Sequence, residues 1–166
     1  MLKGRHWRSG FLLSILLIVS GCGFHLKGHH QATLNMNGLF VENAENRQSL
    51  AGVLQRDLRA SGVALAADAA AAKNRLSLTE AFKYRVLSVD ENGKALEYEL
   101  RLKSDFSVVD REGKAALLEQ YLELVRELIY SGTDELGRRN EAKLVRGDMR
   151  TDMADQIVRR LLAQLD

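Results

Sequence analysis

The sequence ALEYELRLKSDFSVV, residues 95–109, alternates apolar and charged side chains with a period of two. Its apolar positions are Leu96, Tyr98, Leu100, Leu102, Phe106 and Val108, and the charged positions between them are Glu97, Glu99, Arg101, Lys103 and Asp105. Because successive side chains of a β-strand point to opposite faces of the sheet, this pattern predicts one long strand with a dry face and a charged face.

The residues on either side of this strand predict turns. Glu91–Lys94 precedes it and contains Asn-Gly, the strongest short signal for a hairpin because both residues tolerate positive φ. Ahead of that turn, Arg75–Asp90 carries its apolar residues at even positions, which predicts an antiparallel partner strand. Asp110–Lys114 is predicted as the next turn.

Two helices and one further strand are predicted elsewhere. Arg47–Ser61 places its leucines on one helical face, and Gly62 is suited to end that helix. Glu141–Leu165 is predicted as a long final helix, and Gly132–Asn140 as the loop before it. Thr33–Val41 is strand-like, with Gly38 as a bend. The buried stripe expected of the final helix is Val145, Met149, Met153, Ile157, Val158 and Leu161.

The segment Ala115–Tyr130, AALLEQYLELVRELIY, fits two secondary structures. Most of its apolar residues recur at helical spacing, whereas Leu122, Leu124 and Leu128 also alternate and Val125 suits a strand. Periodicity alone slightly favours a helix.

The beginning of the chain resembles a lipoprotein leader. The apolar run Phe11–Val19 follows three basic residues and is about half as long as a membrane-spanning helix, which needs about 20 residues. Val19-Ser20-Gly21 then places small residues before Cys22, as in the bacterial lipobox. We therefore predict a signal peptide at residues 1–21, acylation of Cys22 and one domain at residues 22–166, with a tether at residues 22–32.

Composition argues against several functions. Removal of residues 1–21 leaves 21 basic and 22 acidic residues, and a net charge near −1 gives no support for nucleic-acid binding. Cys22 is the single cysteine, so no intramolecular disulfide is expected. His25, His29 and His30 lie close together, but no second ligand motif accompanies them, and a solvated tether is the preferred interpretation. Without a nucleophile or metal motif, we predict no catalytic residues, no metal and no cofactor.

The first residues after the predicted cleavage site resemble a known family. Cys22–Gly28, CGFHLKG, is similar to the mature N-terminus of the LptE family of lipopolysaccharide-assembly lipoproteins, which begins C-G-(F/W)-H-L-(R/K). The likeness continues in order through Leu50–Leu65, Asn92–Tyr98 and Arg139–Glu141.

The resemblance implies an α+β fold, a two-layer α/β sandwich in which two helices pack on one face of a four-stranded mixed sheet. It also implies that Leu117–Tyr130 is the fourth strand. The implied function is that of an outer-membrane lipoprotein, lipid-anchored and facing the periplasm and the barrel lumen, which plugs and helps to assemble the LptD β-barrel as its heterodimer partner. It would also bind lipopolysaccharide in transit. The alternative is an envelope lipoprotein that scaffolds another complex without binding lipopolysaccharide.

The same resemblance suggests binding residues. Members of the family bind lipopolysaccharide partly through basic side chains near the hairpin turn and in the loop before the last helix. The corresponding residues here are Lys94 at the turn and Arg138 and Arg139 in the predicted loop. Glu91 departs from the basic character expected of the turn.

Overall fold

In the computed structural model of the chain, residues 36–130 and 135–165 are described. The predicted signal peptide at residues 1–21, acylation at Cys22, the tether at residues 22–32 and its three histidines lie outside these ranges. None of the helices within them is both long and apolar enough to cross a membrane.

The described residues form a mixed sheet with two helices packed against it, which confirms the predicted α+β class. In chain order the elements are β1 (Leu39–Val41), α1 (Leu50–Ala60), β2 (Asn74–Leu78), β3 (Ala81–Val89), β4 (Ala95–Asp110), β5 (Ala115–Ile129) and α2 (Glu135–Gln164). β1 pairs in parallel with β2. β2, β3 and β5 all pair antiparallel with β4.

The central strand β4 behaves as its sequence predicts. Its side chains alternate between buried and partly exposed from Tyr98 to Val108. The buried set faces both helices and forms one core with Leu54 and Leu58 of α1 and Met153 and Ile157 of α2. The turns at both ends of β4 have the same design, because Gly93 and Gly113 adopt the positive φ that the chain reversal requires.

The sheet has five strands rather than the predicted four because one strand is interrupted. β5 covers one edge of β4, and β2 and β3 share the other, with Leu78 opposite Phe106 and Ala81 opposite Lys103. β2 and β3 therefore occupy a single strand position that breaks at Thr79-Glu80. Glu80 has the same even phase as the apolar residues around it, so its carboxylate lies beneath the helices, where it accepts a hydrogen bond from the backbone N–H of Leu50.

The segment Ala115–Ile129 is a strand, as the family resemblance implied, and the interpretation from periodicity was wrong. Leu117, Leu122 and Leu128 are buried, whereas Val125 and Ile129 are exposed on the sheet face that the helices do not cover. Apolar residues on both faces imitate helical spacing. The open edge of β4 supplies a ladder of backbone hydrogen bonds that periodicity does not reveal.

Both helices begin at other residues than predicted. α1 begins at Leu50 rather than Arg47, because the Ser49 side chain accepts a hydrogen bond from the N–H of Gly52 and acts as its N-cap. α2 begins at Glu135, six residues earlier than predicted, so Arg138 and Arg139 lie in a helix and not in a loop. The predicted buried stripe of α2 is confirmed from Met149 to Leu161, and Val145 is partly buried.

Candidate functional site

A cleft of about 620 Å³ lies between the β3–β4 hairpin and the first half of α2. It exists because α2 is longer than the part that packs tightly: its fully buried side chains begin at Met149, and the preceding turns extend over the hairpin. The lining side chains are Phe82, Tyr84, Val86, Ala95, Tyr98, Leu100, Leu128, Arg138, Arg139, Ala142, Lys143 and Arg146.

The floor of the cleft is apolar and aromatic. It consists of the helix-facing residues at the hairpin end of the sheet. In the rest of the sheet, the helices cover the residues on this face. Tyr84 is 71% exposed and Val86 is 47% exposed, so this part of the floor is open to solvent. Exposed apolar surface that is concave and rimmed by polar groups is typical of a binding site.

One wall of the cleft is basic. Arg139, Lys143 and Arg146 recur at helical spacing on α2, with Arg138 beside them, so all four line the same opening. Within residues 36–130 and 135–165, no Asp or Glu is among the lining residues. The cleft therefore combines an apolar floor with a basic wall along its rim.

The side chain of Arg138 is fixed against the floor. Its Nη1 donates a hydrogen bond to the hydroxyl of Tyr98. Its guanidinium carbon lies 5.2 Å from the centroid of the Tyr98 ring, within the range of a cation–π contact. Tyr98 itself is 6% exposed, so the basic wall is attached to the core of the sheet.

Arg146 is fixed in a similar way at the end of the cleft beside Glu80. Its guanidinium carbon lies 4.6 Å from the centroid of the Phe82 ring, and its Nη2 donates to Oε1 of Glu80 at 3.2 Å. Burial acts to raise the pKa of Glu80, but hydrogen bonds from Arg150, Leu50 and Arg146 outweigh it and hold that pKa below its ordinary value. Glu80 is therefore a stable anion at neutral pH.

The structure brings two of the sequence-predicted residues together. Arg138 and Arg139 both line the cleft, on the first turns of α2. Lys94 lies in the hairpin turn directly before Ala95, which lines the cleft, but the Lys94 side chain is not among the lining groups. Cys22 lies outside the described residues. Whether any of these residues binds a ligand stays a prediction.

Lys143, Arg146 and the aromatic floor were missed at the sequence level. The available signal was the spacing of Arg139, Lys143 and Arg146, which places them on one helical face, but it requires α2 to begin before Arg139. The predicted start at Glu141 separated the basic pair from the other two cations.

The chemistry of the cleft suits an amphiphile with an anionic head. Guanidinium and ammonium groups bind phosphate or carboxylate oxygens, while the apolar floor suits hydrocarbon. Among the residues that the structure describes, no group of three or more His, Cys, Asp or Glu side chains is arranged to hold a metal ion.

Comparisons with a family model and with a known relative point to the same family. The model of a family described as LptE, lipopolysaccharide-assembly, matches residues 36–161. The LPS-assembly lipoprotein LptE of Photorhabdus laumondii is 28% identical over 160 residues, covering 95% of this chain and 87% of that relative.

Two solved structures have similar folds. Rare lipoprotein B from Shewanella oneidensis has a TM-score of 0.63 at 24% identity, over 76% of this chain and 92% of that one. A minor lipoprotein from Acinetobacter baumannii has a TM-score of 0.61 at 27% identity, over 77% of this chain and 92% of that one.

Proposed function

Because this chain belongs to the LptE family of lipopolysaccharide-assembly proteins, we propose that it binds lipopolysaccharide in the cleft between the β3–β4 hairpin and α2. Lipopolysaccharide carries clustered phosphates beside acyl chains, so one molecule presents both an anionic and an apolar surface. The observation that supports the proposal is the combination of a basic wall and an aromatic floor in one cleft. The protein would act by binding rather than by catalysis.

The proposal assigns separate roles to the cleft residues. Arg138 and Arg139 would bind phosphate oxygens, because guanidinium groups donate two parallel hydrogen bonds to phosphate. Lys143 would add charge in the middle of the wall, and Lys94 would contact the polar part of the ligand from the hairpin turn. Tyr84 and Val86 would contact acyl chains.

We also propose that the protein works as an outer-membrane lipoprotein, acylated on Cys22 and facing the periplasm, after removal of residues 1–21. Its partner would be the LptD β-barrel, which it would plug as a heterodimer. The open face of the sheet supports such a contact. Tyr121, Val125 and Ile129 are exposed there along β5, beside the charged positions of β4. Exposed apolar side chains in a row are typical of protein interfaces.

The cleft assignment is tested by reversing the charge of the first two basic residues. Arg138→Asp with Arg139→Asp should weaken lipopolysaccharide binding by about tenfold or more, because charge-assisted hydrogen bonds are lost and repulsion replaces them. The circular dichroism melt should stay close to that of the wild type, since Arg139 is exposed and Arg138 is only partly buried.

A charge-matched control separates site effects from net charge. Arg59→Asp with Arg159→Asp changes the net charge equally, and neither residue lines the cleft, so lipopolysaccharide affinity should change by less than about twofold. Equal losses in both double variants would contradict the cleft assignment. A folded wild-type protein that co-purifies with the barrel but binds no lipopolysaccharide would favour the scaffold function.

A further inference from the structure

We propose that Arg146 is a phosphate-binding residue at the end of the cleft beside Glu80, and that Glu80 and Phe82 hold its guanidinium group in place for that purpose. This inference rests on the proposed function and adds a ligand-contacting residue that the family resemblance does not indicate.

The first observation is the position of the Arg146 side chain. It lines the cleft and is 39% exposed, although it extends from the part of α2 that begins to pack against the sheet. The centroid of the Phe82 ring lies 4.6 Å from the guanidinium carbon, so the ring covers one face of this group. A guanidinium in such a position loses little rotamer freedom when a ligand binds, which favours affinity.

The second observation is that the charge of this cluster is not balanced. Oε1 of Glu80 accepts hydrogen bonds from both Arg146 and Arg150, and Oε2 accepts the backbone N–H of Leu50. One carboxylate therefore compensates two guanidinium groups, and one positive charge remains in excess among the bonded groups. A partly buried cation next to an apolar floor interacts more strongly with an anion than an exposed surface cation does.

The two arginines differ in a way that assigns the excess charge to Arg146. Arg150 is the more buried, with 18% of its side chain exposed, and its contact with Glu80 is 2.7 Å. The corresponding contact of Arg146 is longer, 3.2 Å, and its side chain is twice as exposed. Arg150 is therefore the structural partner of Glu80, and Arg146 is the one able to share its charge with a ligand.

The remaining donors of Arg146 suit a tetrahedral oxyanion. A guanidinium has five N–H donors, and the hydrogen bond to Glu80 uses one of them on Nη2. Nε is buried and has no hydrogen-bond partner within the part of the chain that the structure describes. The other donors belong to Nη1 and Nη2, in a plane fixed by Phe82 and Glu80, and this arrangement fits the paired oxygens of a phosphate group.

Phosphate can come from the head of a lipid or from free phosphate, and the test separates these sources. The full-length chain would be purified from membranes in detergent. Its affinity would be measured for lipopolysaccharide and for the same lipopolysaccharide after chemical dephosphorylation, with inorganic phosphate as a competitor. We expect Arg146→Gln to weaken binding of the phosphorylated form about tenfold and that of the dephosphorylated form less than about twofold. Inorganic phosphate should compete only weakly.

Arg150→Gln is the matched control. It removes a guanidinium that contacts the same carboxylate but does not line the cleft. It should lower the melting temperature more than Arg146→Gln does, and it should reduce affinity for phosphorylated lipopolysaccharide by less than about threefold. Arg146→Lys keeps the charge but lacks the planar fork, and we expect an affinity between those of the wild type and Arg146→Gln.

Each other outcome would overturn the inference. Unchanged affinity in folded Arg146→Gln would remove this residue from the site, and equal losses in the Arg146 and Arg150 variants would reduce its role to a structural one. An equal loss for dephosphorylated lipopolysaccharide would exclude phosphate as the group it binds. Complete displacement by equimolar inorganic phosphate would assign the site to free phosphate. Failure of the wild type to bind any lipopolysaccharide would overturn the proposed function itself, which the other outcomes leave intact.

Discussion

Glu80 shows how a single residue connects the sheet, both helices and the cleft. Its position follows the phase of the inward-facing apolar residues, so a carboxylate that is only 16% exposed lies at the point where β2 ends and β3 begins. The cost of this burial is offset by hydrogen bonds from α1 through Leu50 and from α2 through Arg146 and Arg150. Removing the charge therefore leaves the guanidinium groups of Arg146 and Arg150 without their counter-ion.

Glu80→Gln should lower the free energy of unfolding at neutral pH by about 1–3 kcal/mol, because a partly buried charge network loses its anion. Denaturant unfolding followed by circular dichroism measures this change. Glu97→Gln, on the open face of β4, is the control and should leave the denaturant midpoint close to that of the wild type. A loss no larger than the control's would show that the network contributes nothing to stability.

The stability difference between the wild type and Glu80→Gln should decrease as the pH is lowered into the acidic range. The pKa of Glu80 in the folded protein lies below its ordinary value of 4.5, so folding favours the ionised form. The contribution of the Glu80 carboxylate to the free energy of unfolding is complete at pH values above that ordinary value. It is lost as the pH falls through the lower pKa of the folded state. The difference should be constant between about pH 5 and 7 and shrink below this range. A difference that grows on acidification would contradict this assignment.

At the residue scale, the sequence predicted the cleft only in part. Arg138 and Arg139 were identified through a family resemblance, and the structure places both in the cleft. Arg146 was missed because its role depends on Glu80 and Phe82, which are more than 60 positions away along the chain. Local patterns do not reveal such a contact, since it arises only when α2 lies across the hairpin.

At the scale of elements, the two helices contain glycines in opposite situations. A Cβ atom on Gly52 of α1 would lie 2.2 Å from the backbone oxygen of Asn46, whereas a Cβ atom on Gly147 of α2 would meet nothing within 4 Å. Gly52 is thus required by the close approach of the chain that enters α1. Gly147 only adds flexibility to the unfolded chain.

Gly52→Ala should destabilise the protein by about 1–3 kcal/mol, because the backbone at Asn46 must shift away from the new methyl group. Gly147→Ala should stabilise it by about 0.5–1 kcal/mol, since alanine loses less backbone entropy when a helix forms. Thermal melts of the two variants provide this comparison, with each substitution serving as the control for the other. Stabilisation by both would show that the segment before α1 moves freely.

Element types were predictable where one face of a segment is buried and the other is exposed to solvent. β4 satisfies this condition, and its alternation identified it. β5 does not satisfy it, because its apolar residues face both the core and the open side of the sheet. The beginning of α2 was misplaced for a related reason: its first turns carry no buried apolar stripe, since they cover a cleft rather than the core.

At the scale of the whole molecule, the beginning of the described chain and the cleft lie at opposite ends of the sheet. β1 pairs with β2, which pairs with β4 close to Asp110, whereas the cleft lies beside Tyr98. About ten residues of β4 separate the two places, or roughly 33 Å at the rise of an extended strand. If Cys22 carries the lipid anchor, the connection of 14 residues to Met36 enters the fold at the end far from the cleft.

This arrangement predicts that the tether and the cleft act independently. Deleting residues 25–32 should leave the melting temperature close to that of the wild type and the lipopolysaccharide affinity within about twofold of the wild-type value, because the deleted segment precedes the end of the described chain that lies far from the cleft. The same deletion shortens the reach of the anchor by up to about 27 Å at 3.4 Å per residue. Recovery of the barrel with the deleted protein from outer membranes should therefore fall.

Replacing residues 25–32 with a Gly/Ser segment of equal length separates reach from sequence. This variant should restore recovery of the barrel, since it restores the span between Cys22 and Met36 without the three histidines or Lys27. If lipopolysaccharide affinity falls in the deletion and in the Gly/Ser variant while both remain folded, the histidines and Lys27 belong to the binding site. In that case the ligand extends from the cleft to the opposite end of the sheet, and the cleft is only one part of a longer binding surface.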